Sequence, residues 1–127
     1  MKTEPFDKNH AYSDSDLSVS AIFGLLLDQR RRYMLYYLSR KVGAVSIEDV
    51  AEQVALWEGT PTRNRLERIC TGLHHNHLPR LIDANVVRYD RDAGTIELLD
   101  AASQLEPFLE LAMADDVASG GDVRSNV

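Results

Sequence analysis

The feature that most constrains this chain is a change of apolar period. Leu66, Ile69, Cys70 and Leu73 recur at helical spacing, whereas after Asn85 the spacing falls to two, with Val87 and Tyr89 on either side of Arg88. A period of 3.6 turns one stripe of a helix inward, and a period of two turns one face of a strand inward. The segment therefore predicts a helix running straight into a β-hairpin, which turns at Arg91-Asp-Ala-Gly94 and returns along Thr95-Ile-Glu-Leu-Leu99. His77, Leu81 and Ile82 roughly continue the buried line, and Pro79 should kink the helix or divide it, because proline has no N–H to give the ladder.

The elements on either side follow from caps and spacing. Order is expected to begin near Leu17, where Leu17, Ala21, Ile22, Leu25 and Leu26 fit a short helix capped by Asp16 or Ser18. Asp28 can cap a second helix from Gln29 to about Lys41, with Tyr33, Met34, Tyr37 and Leu38 inward and Gly43 ending it. Ser46-Ile-Glu-Asp opens a third, a variant capping box whose buried face is Ile47, Val50, Ala51 and Val54. Trp57 to Thr62 reads as a breaker-rich loop, and Thr60 followed by Pro61 as the start of the fourth helix. Beyond Asp100, Ala101, Leu105, Phe108, Leu109 and Ala112 return to helical spacing. Residues 1–16 are expected to form a flexible arm, 17–114 one domain with a C-terminal helix from about 101, and 115–127 a disordered tail. The fold class is mainly α with a β-hairpin, an α+β arrangement.

Charge is distributed against the composition. The chain has 14 Lys+Arg and 20 Asp+Glu, yet between Arg63 and Arg80 stand four Arg and three His against one acid, Glu67. A local basic surface on an acidic host is the footprint expected of a phosphate-facing element. Only three of the basic residues are Lys, an acid-rich and Lys-poor balance resembling that of haloarchaeal proteins. At molar salt the Debye length is about 3 Å, so net negative charge does not forbid DNA binding.

Composition excludes several classes. With Cys70 alone there is no intrachain disulfide and no cysteine pair for zinc. The N-terminus has no apolar stretch after its charges, and the longest apolar run, Ala21 to Leu27, is far short of the ~20 residues a membrane span needs. A cytoplasmic protein with no membrane partner is the expectation. No nucleophile elbow, Gly-rich phosphate loop or paired carboxylates occur, so neither an enzyme nor a cofactor is expected, and no small-molecule ligand is evident. His74 and His77 have the i, i+3 spacing of helical metal ligands but no third ligand beside them, so no metal is assigned.

Three helices followed by a hairpin is the order of a winged helix-turn-helix, here with extra N- and C-terminal helices. His77-Leu-Pro-Arg-Leu-Ile-Asp-Ala-Asn-Val-Val-Arg-Tyr-Asp90 strongly resembles the "HLxxLxxAGLVxxD" close of that fold, with Asn85 taking the left-handed cap usually given to Gly. Together with Leu27-Asp-Gln-Arg-Arg-Arg-Tyr-Met-Leu-Tyr-Tyr-Leu38, Val45 to Ala55 and Asp90 to Leu98, it resembles a family of small haloarchaeal winged helix-turn-helix proteins over roughly Leu17 to Asp100. The resemblance implies a DNA-binding transcriptional regulator and carries over no operator, ligand or catalytic residue.

On such a helix, stepping ~100° per residue from the buried line puts Asn64, Arg68, Thr71, Gly72 and His75 outward, flanked by Arg65 and Asn76. Arg can grip guanine or phosphate, Asn can pair with adenine, and Gly72 would let the backbone approach the duplex. Arg88 and Arg91 would serve a wing whose tip, Asp90-Arg-Asp92, is net negative. Arg30-Arg-Arg32 could reach phosphate from a helix N-terminus, with two of the three expected in structural ion pairs. The expected partners are double-stranded DNA and a second copy, a homodimer formed through Leu17, Ile22, Leu25, Leu105, Phe108, Leu109 and Ala112. The alternative is a winged-helix protein-interaction module that does not bind DNA. Arg63, Arg65, Arg68, Arg80 and Arg88 discriminate: a shared exposed surface favours DNA, and consumption in ion pairs favours the module.

Overall fold

The computed structural model describes residues 16–121 and residue 123. The expected arm, apart from Asp16, and the last residues of the expected tail lie outside the described residues. The fold is mainly helical with a small three-stranded antiparallel sheet.

Local chemistry starts each helix. Ser18 accepts from the Ala21 N–H at 3.0 Å and opens α1, Val19–Leu26. Asp28 accepts from Arg30 and Arg31 N–H groups at 2.8 and 3.2 Å and opens α2, Gln29–Ser39, which stops short of Lys41 because the Arg40 and Lys41 N–H groups turn back to Tyr37 and Leu38 carbonyls. Ser46 accepts from the Asp49 N–H at 3.1 Å and opens α3, Ile47–Glu58. Trp57 and Glu58 thus belong to this helix rather than to the expected loop, and Gly59, at φ 122°, ends it. The fourth helix, α4, spans Arg63–Gly72; its cap is Thr62, which accepts from the Arg65 N–H at 3.2 Å, so Pro61 stands outside the helix and not at its first position.

Pro79 divides the next stretch as its chemistry requires. Upstream of it Leu73–His77 forms a π turn, with the Leu78 N–H bonded to the Leu73 carbonyl, and α5, Leu78–Asp83, carries Pro79 in its first turn. The wider turn moves the buried line onto Leu78 and Leu81, which leaves Ile82 exposed, contrary to the sequence expectation. Asn85 then adopts φ 66°, with Val86 N–H on the Leu81 carbonyl and Asn85 N–H on the Ile82 carbonyl, the two bonds of a Schellman close.

The hairpin pairs β2, Val87–Asp90, with β3, Thr95–Leu98, in the register Val87↔Leu98 and Tyr89↔Ile96. A strand not anticipated from the sequence, β1, Val45–Ser46, adds to β3 through Val45↔Ile96 and gives the order β1-β3-β2. It ties the start of α3 to the hairpin. The C-terminal segment runs as a 3-10 turn, Asp100–Leu105, into α6, Glu106–Ala118.

Burial centres on α2, where Tyr33 to Leu38 are all buried, packed with Val50, Val54 and Trp57 of α3, Ile69 of α4, Leu81, Val86, Ile96 and Leu105. Tyr33 and Tyr37 meet Trp57 edge-on at 5.8 and 6.5 Å. The domain does not stop at 114, since α6 continues to Ala118 and Asp116 is buried. Just beyond, a Cβ on Gly121 would lie 2.3 Å from the Tyr33 hydroxyl and 3.1 Å from the Asp116 carbonyl. Because Tyr33 is itself buried and cannot retreat, Gly121→Ala is expected to cost about 1–3 kcal/mol of stability in urea unfolding; an unchanged midpoint would show that this segment does not close over Tyr33.

Candidate nucleic-acid interface

The basic helix α4 is held by its inner line, Ile69 and Leu73 fully buried with Leu66 and Cys70 half-buried beside them, and it packs on α3. Burial pushes the Cys70 thiol above its ordinary range, so it behaves as a small apolar group. This packing turns Asn64, Glu67, Arg68 and Thr71 outward, where they line one shallow depression. Among the described residues Arg63 and Arg68 form no ion pair. The Thr71 hydroxyl donates to the Glu67 carbonyl at 2.9 Å, so it is committed to its own helix. His75 is exposed in the π turn, and Asn76, also exposed, accepts from Arg80 Nε at 2.8 Å.

The remaining sequence candidates are placed differently. Arg65 is half-buried and reaches back to Glu58 at 3.0 Å. Glu58 is gripped from its other side by Arg30, through Nε at 2.8 Å and Nη2 at 2.9 Å. One carboxylate of α3 thus joins the starts of α2 and α4. Gly72, expected on the outer face, is half-buried, and a Cβ there would stand 3.8 Å from Arg30 Nη1. That is ordinary contact distance, so the packing at α2 leaves room for a methyl at this position.

All three arginines at the start of α2 have partners within the chain, two of them in the expected ion pairs. Arg30 is held by Glu58, and Arg32 binds Asp116 through Nε at 2.9 Å and Nη2 at 2.8 Å. Arg31, only 6% exposed, bonds the Leu25 and Gly24 carbonyls and lies 3.3 Å from His77 Nδ1. Burial, reinforced by the neighbouring arginines, pushes the His77 imidazole below its ordinary range despite Asp28 nearby. Neutral His77 can therefore accept from Arg31. His74 instead packs edge-on against Tyr89 at 5.8 Å. The two histidines have separate partners, and among the described residues no group of three His, Cys, Asp or Glu converges as a metal site needs.

On the hairpin, Arg88 is exposed but paired across the strands with Glu97 at 2.7 Å, and Arg91 stands exposed at the tip. Of the five discriminating arginines, Arg65 and Arg88 are in ion pairs, Arg80 is bonded to Asn76, and Arg63 and Arg68 are free among the described residues.

The residues expected at a dimer contact divide as well. Ile22, Leu25, Leu105 and Leu109 are buried in the core of their own chain. Leu17, Phe108 and Ala112 are half-buried, with the Leu17 N–H bonded to Gln104 Oε1 at 2.7 Å. No described helix is long and apolar enough to cross a membrane.

Sequence reasoning missed the Glu58 clamp and the Asp116 cluster. Neither carries a local signal: the partners of Asp116 lie 80 to 87 residues away. A family model, DUF7344, described as a domain of unknown function, matches residues 23–97, more than half of the chain. No curated protein and no solved structure matches it.

Proposed function

The chain belongs to the DUF7344 family, a domain of unknown function, and we propose that it is a sequence-specific DNA-binding transcriptional regulator of winged helix-turn-helix fold, acting as a homodimer with α4 in the major groove. The order α2, α3, α4 and hairpin supports the fold assignment, with β2 and β3 as the wing. The observation that carries the reading is Arg68, which stands exposed and unpaired among the described residues beside Asn64, while Arg30, Arg32 and Arg65 are each taken up by a carboxylate.

Arg68 and Asn64 lie one turn apart on one face, so they can address successive base edges, guanine by the guanidinium fork and adenine by the amide. His75 follows about two turns beyond Arg68 and reaches the same groove or its phosphates. In the acid-rich, Lys-poor setting that resembles haloarchaeal proteins, molar salt screens the net charge of −6. Specific contacts rather than long-range attraction would then supply selectivity.

A second reading, a winged-helix protein-interaction module without DNA, is favoured by the ion pairs of Arg65 and Arg88 and by the acidic hairpin tip, Asp90 and Asp92. Fluorescence anisotropy on a pool of the protein's own upstream DNA in high KCl separates the two. DNA reading predicts saturable binding that Arg68→Ala weakens by roughly 5- to 150-fold, the value of one base contact of about 1–3 kcal/mol, with a smaller loss for His75→Ala. Folded wild-type protein that fails to bind would overturn the DNA reading and turn the search to a protein partner.

A further inference from the structure

The apolar surface that the domain leaves open coincides only in part with the one its sequence pattern suggests, at Phe108 and Ala112. Ile22 and Leu25, the inward line of α1, are covered, but Val19, Phe23 and Leu27 recur every four residues on the other side and are 59%, 55% and 82% exposed. Opposite them on α6, Leu111 is 75% exposed. Phe23 and Phe108 meet edge-on at 5.5 Å, which joins the two helices, and a groove lined by Phe23, Leu27, Phe108, Leu111 and Ala112 runs between them. Side chains of this size standing in water on one face mark a contact surface.

We propose that a second copy of this chain occupies that groove, so that α1 and α6 of the two protomers form a two-fold interface. Charge identifies the occupant. Leu17 to Leu27 contains no charged residue in a chain that is 27% charged. Among the described residues the one charged residue lining the groove, Arg32, is neutralised by Asp116 from within the protomer. A charged partner would bury its charges here against no counter-charge, at a cost that such groups do not tolerate. A membrane surface would find, among the described residues, no free cation in the groove to hold its headgroups.

A second copy meets this neutral groove with the uncharged α1 of its own, while Glu106, Glu110 and Asp115 of α6 stand exposed outside the groove lining and the net charge of −6 opposes self-association elsewhere. In a two-fold contact the same patch must be both donor and receiver of shape, and Leu27 and Leu111, the most exposed of the lining side chains, can each seat in the partner's groove. This interface supplies the pairing on which the proposed homodimeric regulator relies, but it stands on the apolar face alone.

The test is light-scattering mass on the full chain in KCl, without DNA, so that failure of DNA binding and failure of pairing are read separately. Wild type is expected at twice the 14.3 kDa chain mass. Leu27→Glu and Leu111→Glu, both at exposed positions, are expected to give monomers with an unchanged far-ultraviolet circular dichroism spectrum. Leu56→Glu, an exposed leucine on α3, should leave the dimer intact. A monomeric wild type at about 100 µM, or a dimer that survives both groove substitutions, overturns the proposal. If the wild type is monomeric and Leu27→Glu lowers its melting temperature, the groove is covered from within the chain; if it does not, the face belongs to another partner.

Discussion

Asp116→Ala is expected to destabilise the fold by about 3–5 kcal/mol, the usual cost of removing one partner from a buried charge pair. The carboxylate is 1% exposed and accepts from Arg32 Nε and Nη2 at 2.9 and 2.8 Å, from the Tyr36 hydroxyl at 2.7 Å and from Gln29 Nε2 at 3.2 Å. Four donors match the four lone-pair sites of a carboxylate, so alanine leaves the guanidinium short of its counter-ion and a buried phenol without its acceptor. Asn in its place keeps one acceptor, loses the charge and turns an NH2 toward donors, so it should recover little. Urea unfolding reads the loss as a lower midpoint at unchanged slope.

The same site sets the acid limb of stability. Burial pushes the Asp116 carboxyl up, but the bonds from Arg32, Tyr36 and Gln29 outweigh it and hold the group below its ordinary range. Its stabilisation is therefore fully present above the unfolded value of about 3.9 and is lost as pH falls through the lower folded value. Burial and the adjoining carboxylate keep Tyr36 protonated well beyond the usual tyrosine range, so the phenol remains a donor at neutral pH. A pH series of unfolding should show a shallower acid loss in Asp116→Ala than in wild type. Equal acid slopes would mean that Asp116 does not carry this charge-linked stability.

How far the sequence discloses this fold depends on the range of the interaction responsible. The caps at Ser46 and Asp28, the inward line of Ile69 and Leu73, the left-handed Asn85 and the hairpin register are written within a few residues, and they are legible. β1 is not, because two residues have no period and Val45 earns its place by pairing with Ile96 some fifty positions away. The π turn is half legible: Pro79 announces a break, but the extra residue that exposes Ile82 is absorbed upstream, where Leu73–His77 offers no warning. Buried polar residues are the least legible. Asp116 lies in an acidic, tail-like stretch that composition assigns to solvent, and Arg31 in a basic run where ion pairs are expected but not a buried arginine bonded to carbonyls. The outer face of α4 is read correctly at Asn64 and Arg68, whereas Gly72 is misplaced because the Arg30 side chain that half-covers it comes from another helix.

Arg31 gives the second large effect, and it bears on the same mismatch between basic composition and buried position. Its Nε donates to the Leu25 carbonyl at 2.7 Å and its Nη2 to the Gly24 carbonyl at 3.0 Å, which satisfies the end of α1 from the first turn of α2, while Nη1 reaches His77 in the π turn that follows α4. One side chain thus fastens three elements. Arg31→Met preserves most of the volume and removes every donor, leaving two carbonyls and an imidazole nitrogen unpaired at about 1–3 kcal/mol for each group that stays dry. A net loss of about 2–4 kcal/mol is expected once α1 frays enough to readmit water to its carbonyls. The imidazole supplies a second readout. Burial dominates the lowering of its pKa and the Arg31 charge adds to it, whereas Asp28, 4.0 Å from Nε2, acts in the opposite direction. With its folded pKa depressed, His77 in the wild type contributes stability that is complete above about 6.5 and is lost as pH falls through the folded value. In Arg31→Met the cation is gone and the carboxylate remains, so the His77 ring proton resonance should titrate at higher pH than in wild type. A variant that unfolds at the wild-type midpoint with His77 titrating unchanged would mean that the guanidinium is not seated among these groups, and that the joint between α1, α2 and the π turn is made by apolar packing alone.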